Sequence, residues 1–472
     1  MRLADLRHSH SLIRQISNEG IGDHALRLRP WSTTRTRDNT KRREIDEKLV
    51  TGFTHYTSVK FALETIARLT ESKLSVERVK TKNSYGRIVS KNILSPINVP
   101  DKQRSHMDGY AVAASSLTGA SSRFPIDLPL MGGLGIAHHR RRRLSRGQTM
   151  GIVTGGELPV GADAVVPVED AKRAGTKVRF LKKVRKGEFC FSIGVDVKKG
   201  AIVVRAGASV RVQDIGMLAL LGIRELRVFA KPRVAIIATG NELVDSFDIT
   251  HPQKVRESHS PIFENLIREI GGVTSSREIV RDDLDLMSDA VERALGSSDI
   301  VLTLGGTSLG EADLVEQTLR RISKKSRIVH GIKMDRGRVA GVAAVRGKPV
   351  VMLPGPVQGA MNAFLLLALP LILRIASGAD SSAFVRARLS TGWKARKKFQ
   401  GFTKVLYVRL ERKGEGLLAR PIVGDTESIS VLTDSNGFVV VPEGIRELGP
   451  GEEVSVRLLP GFSYVGGQFL AS

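Results

Sequence analysis

Residues 231–378 alternate between two kinds of segment, and this alternation limits the possible folds more than any other feature of the chain. "PRVAIIAT" reads as a buried strand and "SPIFENLIREIGG" as a helix that ends on glycine. "TSSREIV" is a strand. "LDLMSDAVERALGS" is a helix with Leu284, Met287, Val291 and Leu295 on one face. "DIVLTLGG" is a strand and "EADLVEQTLRRI" a helix. "RIVHGIKM", "RVAGVAAV" and "PVVMLPG" are further strands, and an apolar helix from 357 closes the unit. Strands that are apolar throughout need cover on both faces. The pattern therefore predicts a three-layer αβα domain, doubly wound around a parallel sheet. Right-handed crossovers place the strand ends on one side, where open sheets bind ligands.

The unusual residues gather at those strand ends. After "PRVAIIA" comes Thr239-Gly240-Asn241-Glu242, and after "REIV" comes Arg281-Asp282-Asp283. After "DIVLT" come Gly305, Gly306, Thr307, Ser308, Gly310, Glu311 and Asp313; after "VVM" come Leu353-Pro354-Gly355-Pro356. A Gly-rich turn into a helix exposes backbone N–H groups to an anion. The carboxylates suit a divalent cation that bridges to a phosphate, or a base acting on water. A first-turn Asp or Glu serves equally well as a helix cap.

The rest of the chain divides by composition. Residues 1–53 are polar and charge-mixed, and read as a mobile extension or as the product of an upstream start codon. "YTSVKFALETIARL" (56–69) spaces Val59, Ala62, Leu63 and Ile66 along one helix face. Segments 54–99 and 196–230 read as a connecting domain, 100–195 as a β-rich insertion domain, and 382–472 as a β-barrel domain with "DSNG" as a hairpin signal. In the insertion, "SHMDGYAV" sets Asp108 in a tight turn, and Thr154 opens a second Gly-rich turn.

Lys and Arg exceed Asp and Glu by 25, which favours anionic partners. The run "HHRRRRLSR" (138–146) has no aromatic neighbour to stack bases, so it reads as a solvated loop and a nucleic-acid role is not expected. With Cys190 as the single cysteine, neither a disulfide nor a cysteine metal cluster can form within the chain, which fits a cytoplasmic protein. "AFLLLALPLILRIA" (363–376) is short for a bilayer and holds Pro370 and Arg374, so it reads as a buried helix and no membrane association is expected.

Taken together, "SHMDGYAV", "IVTGGELPVGADAVV", "GVDVKKGAIVVRAGASV", "RVAIIATGNELV", "IVRDD", "GGTSLGEADL" and "VVMLPG" resemble the molybdopterin molybdenumtransferases. This is the MoeA family, to which the C-terminal region of gephyrin belongs, and the resemblance runs from about residue 55 to the end. It implies an elongated homodimer of four-domain chains. It also implies Mg²⁺-dependent exchange of AMP on adenylylated molybdopterin for molybdate or tungstate. Transient contacts with the adenylylating enzyme and with apo-molybdoenzymes would follow. By position, Asp108, Thr154, Asp196, Glu242, Asp282 and Asp313 match family residues tied to activity. Residue type and sheet position suggest that Asp282 and Asp313 handle the metal and the attacking oxygen. On the same grounds Glu242 and the turn Gly305–Gly306–Thr307–Ser308, with Gly310 and Pro354, would hold the pterin-phosphate end.

The chain departs from the pattern in four places. The usual "KPGKP" is "DRGRV", so Asp335 stands for a lysine, Arg336 for a proline and Arg338 for the second lysine. "LPGNP" is "LPGPV", which brings in Pro356 and Val357; "DSN" is Glu257-Ser258-His259; Phe191 and Ser192 stand where arginines are usual. A carboxylate at ~4 Å and an effective dielectric near 20 opposes an oxyanion by several kcal/mol. Arg336 or Arg338 would have to compensate with a bidentate grip. The alternative is a diverged paralogue, a scaffold or regulator that binds a pterin or nucleotide without inserting metal.

Overall fold

The computed structural model describes residues 56–70, 74–132, 143–307, 313–376, 384–414 and 416–459, with two short strands beyond them, Phe462–Val465 and Gln468–Ala471. The expected extension 1–53, the residues Ser308, Gly310 and Glu311, and the core of the basic run lie outside the described residues.

Helix α1 (Val59–Leu69) starts at Ser58, whose hydroxyl accepts from the Phe61 amide, and buries Ala62 and Ile66 as the spacing predicts. Strand β1 (Val76–Lys80) enters a small connecting unit. Next comes a three-stranded sheet with β2 (Gly109–Val112) between β3 (Thr149–Ile152) and β4 (Ala164–Pro167), all antiparallel. Gly109 is required there, because a Cβ would lie 2.1 Å from the Val166 carbonyl oxygen. Helix α2 (Val212–Leu220) and strand β5 (Glu225–Phe229) bring the chain back. β5 pairs antiparallel with β1, so one sheet is built from both flanks of the insertion.

The large sheet draws on β6 (Arg233–Thr239), α3 (His259–Glu269), β7 (Val273–Val280), α4 (Leu284–Ser297), β8 (Ile300–Leu304), α5 (Leu314–Ile322), β9 (Arg327–His330), β10 (Gly341–Val345), β11 (Lys348–Leu353) and α6 (Val357–Ile375). Its order is β7-β6-β8-β11-β10-β9. Ile237, Val301, Val350 and Met352 meet Met287, Val291 and Leu319 in a core on the α4–α5 side, each such side chain stabilising by about 1.5–3 kcal/mol. On the other side Phe263 of α3 stacks on Phe364 of α6 with centroids 5.0 Å apart.

Two expectations about this sheet need correction. The sheet is mixed rather than parallel, because β10 runs antiparallel to both neighbours. The cause is the β10–β11 link, Arg346-Gly347, with φ of 49° and 77°. Positive φ at both positions is a type I′ hairpin turn, and a two-residue link joins only antiparallel strands. As a result β9 is parallel to β11 and ends at the same rim. The second correction concerns length. The apolar helix runs 19 residues, enough to cross a membrane by length and composition, but it is mostly buried in this protein. A π turn over Phe364–Ala368 precedes Pro370 and absorbs the missing amide donor.

A closed barrel follows: β12 (Phe384–Leu389), β13 (Lys404–Lys413), β14 (Gly416–Pro421), β15 (Gly437–Val441) and β16 (Glu453–Leu458), in the order β12-β14-β13-β15-β16. "DSNG" is not a hairpin. It leads from a helical turn, Ser430–Thr433, into β15. The Asn436 side chain accepts from the Leu410 amide at 2.7 Å and donates to the Leu410 carbonyl at 3.2 Å. Its amide thus extends the β13 ladder in place of backbone.

Candidate active site at the rim of the large sheet

The ends of β6 and β7 are tied together. Thr239, 4% exposed, donates its hydroxyl to Asp282 Oδ1 at 2.7 Å. The Asp282 amide donates to Asn241 Oδ1 at 3.3 Å, and the Gly240 amide to the Val280 carbonyl at 3.2 Å. Glu242 folds over the same turn, since a Cβ on Gly240 would lie 2.6 Å from its Oε1. Asp282 and Glu242 are both exposed, so two carboxylates face solvent from neighbouring turns.

At the end of β8, Gly305 and Gly306 have φ of 79° and 63°, and the Gly305 amide donates to the Leu353 carbonyl of β11. A Cβ on Gly306 would meet Thr239 Cγ2 at 2.6 Å. The next residue, Thr307, has a buried hydroxyl with no partner among the described residues. A buried hydroxyl left unpaired costs about 1–3 kcal/mol. Pro354 is buried against Gly359 in the first turn of α6.

Asp313 is 3% exposed and caps α5, with Oδ1 accepting from the Glu316 amide at 2.7 Å. Its Oδ2 lies 3.3 Å from His330 Nε2. Each Asp313 oxygen thus has one contact within the protein, and the carboxylate starts the helix. His330 Nε2 also faces the Val339 carbonyl at 2.9 Å, and its Nδ1 faces Glu316 Oε2 at 2.9 Å. His330 was missed in the sequence, although "IVHG" places it at a strand end on the same rim.

The loop after β9 explains the altered basic stretch. Asp335, 6% exposed, accepts from Lys404 Nζ at 3.0 Å and Arg396 Nη2 at 2.8 Å, two cations from the barrel region. Burial raises its pKa and these cations more than offset that, leaving it below the usual carboxylate range. Arg336 donates to Gln358 Oε1 and to the Gly424 carbonyl, so it braces the loop instead of compensating at the site. Arg338 is exposed, and its guanidinium makes no hydrogen bond or ion pair among the described residues. Of the two arginines, it is the one available to an oxyanion. Glu257 accounts for the "ESH" departure: its Oε1 accepts from the His259 and Ser260 amides and starts α3.

In the insertion, Asp108 Oδ1 accepts from both the Thr154 amide at 2.7 Å and the Thr154 hydroxyl at 2.8 Å, which lowers its pKa. Among the described residues no hydrogen bond or ion pair joins Asp108 or Thr154 to the rim residues Thr239 and Asp282. Asp196 is exposed and its amide pairs with the Val99 carbonyl. Phe191 packs on His106 with centroids 3.7 Å apart.

Fold and rim together define a multidomain α/β protein with hydroxyl donors and paired carboxylates at the carboxyl edge of an open sheet. Three family models match it in order: the MoeA N-terminal region (domain I and II) at 57–222, "Probable molybdopterin binding domain" at 235–374, and the MoeA C-terminal region (domain IV) at 386–459. A relative from Methanocaldococcus jannaschii, named for molybdopterin biosynthesis, is 30% identical over 419 residues, covering 85% of this chain and 96% of its own. A molybdopterin molybdenumtransferase from Staphylococcus epidermidis is 26% identical over 405 residues, covering 85% and 96%. Two crystal structures of a molybdopterin biosynthesis MoeA protein from Pyrococcus horikoshii, 30% and 25% identical, superpose with TM-scores of 0.75 and 0.74. Each covers 86% of this chain, and 99% and 100% of its own. The chain belongs to the MoeA family.

Proposed function

We propose that this protein is a molybdopterin molybdenumtransferase, which exchanges AMP on adenylylated molybdopterin for molybdate or tungstate. The observation that carries the reading is the convergence at one rim of Asp282, Glu242, the Gly305-Gly306 turn and the unpartnered Thr307 hydroxyl. The Gly-rich turn and Thr307 hold the phosphate. Arg338 attracts the oxyanion, and Glu242 reaches the polar edge of the pterin. Asp282, oriented by Thr239, presents a carboxylate beside the phosphate.

The donor set fits Mg²⁺, which binds through one or two carboxylates and keeps waters and substrate phosphates for its other positions. Asp282 would hold it; Asp313 caps its helix. When bound, the ion would supply charge neutralisation at the phosphate as the AMP departs. Asp108, Thr154 and Asp196 belong to the same reading as residues of a site completed in a homodimer, in the cytoplasm, with transient access to the adenylylating enzyme and to apo-molybdoenzymes.

The test mixes purified protein, adenylylated molybdopterin, Mg²⁺ and either molybdate or tungstate. The expected result is AMP release that requires the oxyanion and is lost in Glu242→Gln and Asp282→Asn. Tight binding of the nucleotide without oxyanion-dependent AMP release overturns the reading.

A further inference from the structure

The segment 331–340 leaves the sheet at β9 and returns at β10. The Gly331 amide donates to the Ala340 carbonyl at 3.1 Å and the Ile332 amide to the Arg338 carbonyl at 3.0 Å, closing the neck of a loop. Its outer end is sewn into the barrel. The Asp335 amide donates to the Thr403 carbonyl, and the Thr403 amide to the Lys333 carbonyl, both at 2.9 Å. The Asp335 carboxylate is held by Lys404, whose side chain is 12% exposed, and by Arg396, which is 56% exposed. From the α6 side, Asn362 Nδ2 donates to the Arg336 carbonyl at 2.9 Å, while its Oδ1 accepts from the buried Tyr407 hydroxyl of β13 at 2.8 Å. Arg338 follows directly, with its backbone fixed in the neck and its guanidinium unpaired among the described residues.

We infer that the barrel positions the oxyanion grip: the buried Asp335–Lys404 pair, completed by Arg396, sets the backbone from which Arg338 reaches its anion. Lys404 and Asp335 are thus positioning residues. The inference rests on the functional reading above and deepens it. Two physical effects support it. Removing one partner of a buried ion pair leaves an uncompensated charge that the loop must move to solvate. In addition, two cations against one carboxylate leave the cluster net positive, so the aspartate that replaces a lysine does not repel an oxyanion at the rim.

The test uses the full chain and two readouts: KM and kcat for molybdate in AMP release, and hydrogen exchange of the amides of 331–340. Lys404→Met is expected to raise KM for molybdate roughly tenfold with kcat little changed, because the anion's contact is displaced while the reacting groups are not. It is also expected to speed exchange in 331–340. Lys404→Arg restores both readouts. Arg338→Ala raises KM alike, and adding it to Lys404→Met raises KM no further, since the two act through one contact. Where Lys404→Met fails to fold, the exposed partner substituted as Arg396→Gln is judged by the same criteria. Unchanged exchange, or faster exchange with unchanged KM, overturns the inference. An unsubstituted protein that releases no AMP overturns the functional reading instead, and the exchange result still decides whether Lys404 holds the loop.

Discussion

Thr239 Oγ1 stands 2.7 Å from Asp282 Oδ1, so the last residue of β6 orients the first carboxylate after β7. Parallel neighbours in a sheet end side by side, and this bond turns that adjacency into a fixed carboxylate direction. Thr239→Val keeps the shape of the strand and removes the donor. A hydrogen bond to a charged group contributes about 1.5–3 kcal/mol, so AMP release should fall roughly tenfold to a hundredfold. The Mg²⁺ concentration for half-maximal rate should rise, with little change in melting temperature. Rates measured across a Mg²⁺ series check this; an unchanged rate refutes the orienting role.

Gly306 has φ of 63°, and its missing Cβ leaves room for Thr239 Cγ2. In Gly306→Ala the left-handed backbone alone costs about 1–2 kcal/mol, before the contact with Thr239 is relieved. Thermal unfolding should therefore begin several degrees lower, and substrate affinity should fall as the turn opens. A variant as stable as the parent would show that this turn is not close-packed against β6.

Cys190 is buried, and its thiol is pushed up to about 11, first by burial and then by the nearby Asp163 carboxylate. The thiolate is the reactive form, so it is scarce at neutral pH. Iodoacetamide should leave the native protein unlabelled at pH 7.5 and modify it readily in denaturant, as mass spectrometry would show. Fast labelling of the folded chain refutes this environment for Cys190.

The strands and helices of the large sheet were legible because apolar runs and helical faces are local signals; "LDLMSDAVERALGS" matches α4 residue for residue. The rim was legible for the same reason, since Thr239, Asp282 and the Gly305-Gly306 turn follow directly from where strands stop. What the sequence hid depends on partners far along the chain. Nothing near Asp335 announces Lys404, and nothing near Arg346-Gly347 says that a hairpin will reverse β10 within a parallel pattern. Asp313 reads two ways because a helix cap and a metal ligand ask for the same residue in the same place, and its His330 partner appears only once the fold brings β9 beside α5.

Glu316 shows how that arrangement sets acid stability. His330 Nδ1 at 2.9 Å and the Arg320 guanidinium hold its carboxyl down, from an ordinary 4.5 to about 2, against the opposing effect of burial. A carboxyl with a depressed native pKa binds protons more readily in the unfolded chain. Its contribution is therefore fully present above about pH 4.5 and is lost as the pH falls toward 2. The shift corresponds to something on the order of 3 kcal/mol. Glu316→Gln should lower stability at pH 7 and flatten its dependence between pH 4.5 and 2, as read from urea midpoints at several pH values. If the variant's midpoints fall with acid as steeply as the parent's across that window, some other carboxylate governs the acid limb.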